Sequence, residues 1–289
     1  MSVPVIEIVA MAQANLADLA MPRPDEKAAQ RLMSRSALLA YHATRAVLAD
    51  SGWQPADLAT AGLFMGVGAS GSDAGQLQRI LVASFVDGQF AMTQFGDRGL
   101  RACNPLFAFQ LMNNFVMANT AMLIGTQGPN AVLFSRGAGT TLALDEAIAA
   151  LREGDCTLAL VGGADCATHP VTELENRYAS KFRSAYEPRE GAAMFALQRV
   201  AAPTGRWRIV DLQCSTHVWP QPPLHIVLGV RPNANVYVDG WCSDAVRDVA
   251  AALGEVTPSI AVGAGLDTLA AGPALSWMAA LQAAPPNVV

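Results

Sequence analysis

Short apolar runs separated by stretches of helical periodicity recur along the whole chain, and this alternation constrains the fold more than any other feature. Val3–Val9 reads as a strand, followed by a Pro/Ala-rich connection through Pro24. Ser34–Ser51 puts Ala37, Ala40, Tyr41, Thr44 and Leu48 on one helical face and closes at Gly52. Leu63–Val67, Ala131–Phe134 and Leu158–Val161 read as strands. Between the last two lies a helix with Leu144, Ala147, Ile148 and Leu151 on one face and Asp145, Glu146 and Arg152 opposite. Ala192–Leu197 is a further strand. After Pro203–Gly205 come strands at Arg208–Cys214, Val236–Val238 and Ser259–Val262, with helices near Ala245–Leu253 and Ala271–Ala283. Strands alternating with helices imply βαβ units and an α/β fold. Pro203–Gly205 marks the internal boundary, between residues 1–202 and a smaller second part, 203–289.

Composition narrows the class. Of 289 residues, 52% are apolar and 15% charged, against roughly 25% charged in an average soluble domain. Such a chain is not disordered, and its apolar excess must be buried in a core, a subunit interface, or both. No window reaches the ~18 to 20 uninterrupted apolar residues of a membrane span. A net charge of −5 leaves no basic stripe for nucleic acid. Arg177, Lys181, Arg183 and Arg189 alternate with Glu175, Glu187 and Glu190, which reads as a solvated mixed-charge loop. The five cysteines, Cys103, Cys156, Cys166, Cys214 and Cys242, are odd in number and form no CxxC. With an N-terminus lacking a basic signal-peptide region, they point to a reduced, cytoplasmic protein.

Gly66-Val-Gly68-Ala-Ser-Gly71 matches G-x-G-x-x-G after a strand, with Asp87 further on, the outline of a dinucleotide fingerprint. Yet the strand is not the first of the chain, Ser72, Asp73 and Gly75 make a poor helix start, and Leu81–Gln89 is an ambiguous second strand. Glycines that let a strand end pass close under neighbouring backbone are the favoured reading. No cofactor is implied.

The stretch Asn104–Asp165 carries a more specific pattern. Gly125-Thr-Gln-Gly128-Pro129 is a turn leading into a strand, Ala150-Leu-Arg-Glu-Gly-Asp155 ends a helix, and Gly162-Gly163 closes the next strand. In this order and spacing the segment resembles the elongating β-ketoacyl synthases of the thiolase fold. Met33–Gly52 resembles that family's first long helix and Tyr186–Met194 its G-E-G-A-G strand entry. The resemblance implies a layered αβαβα architecture, here with a shortened second half.

The family's chemistry is not matched in the same way. Its nucleophilic cysteine lies nine residues beyond the glycine of the Gly-Pro pair, Gly128 here, which puts it at Gly137. A glycine has no side chain to acylate, so covalent acyl-enzyme chemistry is excluded there. The family's two histidines, in V-E-A-H-G-T-G-T and G-H-x-x-x-A-A-G, resemble Val236–Ser243 and Leu266–Gly272, which puts aspartates at both, Asp239 and Asp267. An aspartate is an anion at neutral pH. Beside a developing oxyanion 4 Å away it is repelled by roughly 4 kcal/mol at an effective dielectric of 20.

Other side chains offer weaker chemistry. Ser135 stands two residues before Gly137, where a packed serine is favoured over a replacement nucleophile. His217 and His225 flank Trp219–Pro223 without a third metal ligand, His169 precedes Pro170, and His42 lies on a long helix, so no triad and no metal site is evident. Cys166 reads as core. By resemblance, a scaffold without its cysteine is a chain-length-factor-like partner of a cysteine-bearing β-ketoacyl-ACP synthase. It would shape the acyl tunnel of a heterodimer visited by acyl carrier protein in fatty-acid, aryl-polyene or type II polyketide synthesis. Asn113, Asn114, Phe115 and Met117 stand where the family builds its dimer face, and Arg136 is the candidate plug of the old tunnel. The alternatives are an acyl-thioester hydrolase or transferase using Ser135 or the Asp239/Asp267 pair, and a homodimeric acyl-chain binder.

Overall fold

Alternate side chains of the strands go to two separate apolar layers, which is what a sheet covered by helices on both faces requires. The computed structural model describes residues 4–15, 33–68, 71–179, 187–202, 207–210, 212, 235–238, 259–262 and 266–283. In chain order its main elements are β1 (Val5–Ala14), α1 (Arg35–Ser51), β2 (Gly62–Val67), α2 (Ala74–Ser84), β3 (Phe85–Val86), β4 (Gln89–Phe90) and α3 (Asn114–Ile124). They continue with β5 (Asn130–Leu133), α4 (Gly139–Glu153), β6 (Leu158–Cys166), α5 (Pro170–Ala179), β7 (Glu190–Val200), β8 (Trp207–Ile209), β9 (Asn235–Val238), β10 (Ser259–Val262) and α6 (Gly272–Ala283).

Six strands form one sheet in the order β5-β2-β6-β7-β1-β8. The strands β5, β2 and β6 run parallel, while β7, β1 and β8 are each antiparallel to the neighbour before them. The α/β class is as expected, but the sheet is mixed rather than a run of parallel βαβ units. On one face Leu63, Met65, Leu160, Ala164 and Met194 meet α1, with Met117 and Ala121 of α3 packed against the same cluster. On the other, Phe64, Val161, Phe195 and Leu197 meet Ala143, Ala147 and Ile148 of α4 and Met278 of α6. β1 changes its inward set between Ile8 and Ala10, where its register against β7 shifts. That bulge lets Ile6 and Met11 face the same layer.

Helix ends follow their capping residues. Ser34 accepts a hydrogen bond from the Ala37 amide at 3.2 Å, and Gly52, at φ +74°, takes the left-handed C-terminal position of α1.

Several boundaries differ from the sequence reading. β1 continues through Ala14 and β6 through Cys166, because Ala, Gly and Cys are small enough to pack between two helical layers. The expected poor helix start at Ser72–Gly75 is instead the cap of α2. The Asp73 carboxylate accepts from the amides of Gly75 at 2.8 Å and Gln76 at 3.2 Å. Leu81–Ser84 belong to that helix, and Phe85–Phe90 form a hairpin rather than a second Rossmann strand. Its turn residues, Asp87 (φ +50°) and Gly88 (φ +78°), are both left-handed, the requirement of a two-residue type I′ turn and the reason Asp-Gly is a hairpin signal. The start of the expected mixed-charge loop, residues 175–179, belongs to the helix α5, Pro170–Ala179. The strand expected at Arg208–Cys214 is found at Trp207–Ile209. The helix expected near Ala245–Leu253 lies outside the described residues.

Candidate functional site

Three parallel strands end side by side, β5 at Leu133, β2 at Val67 and β6 at Cys166, and the carboxyl ends of such strands are where an α/β sheet builds a site. Beyond β5 the chain turns through Phe134 and Ser135 into a 3₁₀ turn, Arg136–Ala138, that opens α4. Gly137 is buried at this turn, whereas Ser135 and Arg136 are exposed. The left-handed residue is Arg136, at φ +47°. Strained non-glycine backbone of this kind gathers at functional turns.

A second turn, Leu269–Ala271, leads into α6 and packs against the first. It too begins with a left-handed non-glycine residue, Leu269 at φ +43°. Both polar groups of the Ala270 backbone are held from the first part of the chain. Its amide donates to Asp165 Oδ2 at 3.0 Å, and its carbonyl accepts from Thr140 Oγ1. The other carboxylate oxygen, Asp165 Oδ1, accepts from the Cys166 amide at 2.7 Å. Asp165 has 0% of its surface exposed, so its charge is supported by these amides rather than by water.

Bare backbone makes this clamp possible. A Cβ on Gly66 would run into the Thr140 amide, one on Gly68 into the Asp165 carboxylate, and one on Gly163 into the Ala270 carbonyl. Gly66 and Gly68 thus serve close approach, the reading preferred over nucleotide binding.

On the opposite face, an open cleft of about 420 Å³ lies among the starts of α1, α2 and α5, lined by Arg35, Ser72, Asp73, Cys166, His169 and Glu190 with others. Its polar groups serve one another. Arg35 pairs with Glu190 at 2.7 Å, and Thr168 donates to the same carboxylate. His169 Nδ1 accepts from the Val171 amide at 3.3 Å, which leaves Nε2 protonated and donating to the Ser72 carbonyl at 3.0 Å. That tautomer cannot take a proton from the Ser72 hydroxyl, 3.5 Å away, so the pair is a cap and not a catalytic dyad. The Cys166 thiol is fully buried and accepts from Ser36 Oγ at 3.4 Å. Burial, and secondarily the nearby Glu190 and Asp165 carboxylates, push its pKa far above the ordinary range, so it stays protonated and unreactive.

The remaining expected site residues separate. Ser135 lies beyond the end of β5, not within a strand. Asn113 stands at the N-cap position of α3. Asn114 is exposed, Phe115 stacks on Phe109 at 4.7 Å between ring centres, and Met117 turns into the core beneath α1. His42 lies on α1 with its ring edge-on to Tyr41. Asp239, His217 and His225 fall outside the described residues. Asp267 sits in a short strand paired with Pro188. Counted back from Ala270-Ala271-Gly272, the pattern G-H-x-x-x-A-A-G sets its histidine against Leu266, one residue before Asp267. Sequence reasoning missed Asp165. Its signal was the pattern Gly-Gly-Ala-Asp at a strand end opposite Gly68.

Two helical layers around a mixed sheet, with the site at strand ends joined by two facing turns, define a thiolase-like α/β protein. The chain belongs to the β-ketoacyl synthase family: residues 11–201 match the model for the beta-ketoacyl synthase N-terminal domain. It is 33% identical over 89 residues to the non-reducing polyketide synthase pkiA of Emericella nidulans, a stretch covering 30% of this chain and 4% of that protein. To the non-reducing polyketide synthase azaA of Aspergillus niger it is 35% identical over 86 residues, 29% of this chain and 3% of that protein. The chain thus spans a few per cent of the length of these relatives.

Among solved structures, it resembles a type II polyketide synthase acyl carrier protein in complex with its ketosynthase bound to the hexaketide, AntDE:AntF. The TM-score is 0.70 at 10% identity, covering 96% of this chain and 91% of that one. It also resembles the ishigamide ketosynthase/chain length factor, with a TM-score of 0.65 at 14% identity over 96% of this chain and 85% of that one. Among the described residues no helix is long and apolar enough to cross a membrane.

Proposed function

We propose that this chain is a chain-length-factor-like subunit without ketosynthase chemistry of its own, paired with a cysteine-bearing β-ketoacyl-ACP synthase and visited by acyl carrier protein. The observation that carries the reading is Gly137, buried at the turn between β5 and α4, where the family's pattern calls for the nucleophile. Because Arg136 supplies the left-handed backbone of that turn, nothing in its conformation demands a glycine one residue later. Neither Asp239 nor Asp267, nor Leu266 one residue before it, offers a replacement for the family's histidines. The second part is taken to begin at residue 203, close to where the family match ends at 201.

A partner is supported by surface chemistry. β5 is an edge strand with half-buried Ala131, Val132 and Leu133, and no proline or charge protects it from pairing with another chain. Met122 of α3 is 70% exposed, and Phe134, just past the end of β5, is 57% exposed. Ser135 is exposed, and the described histidines His42 and His169 are engaged with Tyr41 and with Ser72 and Val171. That arrangement favours the partner role over the thioesterase alternative.

The test is co-expression with the cysteine-bearing β-ketoacyl synthase of the same gene neighbourhood, followed by size-exclusion chromatography and intact-mass analysis after incubation with acyl-ACP. The expected result is one complex in which only the partner gains the acyl mass. An acyl adduct on this chain, or two separate folded proteins, overturns the reading.

A further inference from the structure

We draw no further inference here: the strongest candidate, the exposed apolar side chains around the β3–β4 hairpin, Val82, Phe85, Val86 and Met92 among them, carries none because nothing in the structure shows what covers them.

Discussion

Replacing Asp165 with alanine removes a side chain that ties the turn before α6 to the central sheet. Two backbone amides lose their acceptor, Ala270 N at 3.0 Å and Cys166 N at 2.7 Å. A hydrogen bond to a charged group contributes about 1.5 to 3 kcal/mol, and a buried amide left without a partner costs a similar amount. Releasing a buried carboxylate offsets part of the loss, so the expected net destabilisation is about 3 kcal/mol. For a chain of this size that lowers Tm by roughly 6 to 12 °C. The local effect is sharper. Exchange of the Ala270 amide should rise by about a hundredfold relative to wild type, the equivalent of that energy. Asp165→Asn retains one acceptor and should recover about half of the loss. Thermal melting followed by near-ultraviolet circular dichroism, with hydrogen exchange read at residues 265–275, checks both quantities. An Asp165→Ala chain that melts within about 1 °C of wild type and keeps its protection at Ala270 refutes the clamp.

Gly68→Ala should destabilise by about 1 to 3 kcal/mol, since its Cβ would fall on the Asp165 carboxylate; urea unfolding measures it, and a neutral result means the strand end is looser than described. Arg35→Ala should cost less than about 1 kcal/mol, because the pair with Glu190 involves an exposed guanidinium; a larger loss of Tm contradicts that. Cys166 carries a pH signature. Its thiol is pushed up from an ordinary value of 9.0, chiefly by burial, so the unfolded chain gives up a proton that the folded chain keeps. Its contribution is present in full below pH 9.0 and is lost as pH rises above it. The stability difference between pH 8 and pH 10 should therefore be smaller in Cys166→Ala than in wild type, and equal slopes in urea midpoints would refute this.

Strand and helix positions were legible wherever large apolar residues set a clear period. Leu63–Val67 and the α4 face Leu144, Ala147, Ile148 and Leu151 appear as read. The reading stopped short where small residues took over. Ala10–Ala14 and Gly162–Cys166 are strands because helices press on both faces and leave room only for Ala, Gly and Cys, and neither propensity nor alternation records such crowding. At Ser72–Gly75 the glycine outweighed the stronger signal, a capping Asp73. Leu81–Gln89 was misread because its β-rich residues were given more weight than Asp87-Gly88, the local turn signal that fixes a hairpin. Within the site, Gly137 could be located by counting because the spacing from Gly128 to Gly154 is intact. Asp165 could not, since its role depends on Ala270, more than a hundred residues away.

That separation bears on what the site is for. Left-handed backbone costs a non-glycine residue roughly 1 to 2 kcal/mol, and both Arg136 and Leu269 adopt it. Asp165 adds a fully buried carboxylate that accepts from the Ala270 and Cys166 amides. In an enzyme such costs are offset by the chemistry they position. Here they converge on Gly137, which has no reacting atom to position. On the proposed reading the stored strain and the clamp act on shape: they hold the two turns together at the strand ends, so the surface offered to a second subunit does not collapse into the space a nucleophile would fill. Asp165→Ala should then weaken association and lower the melting temperature together.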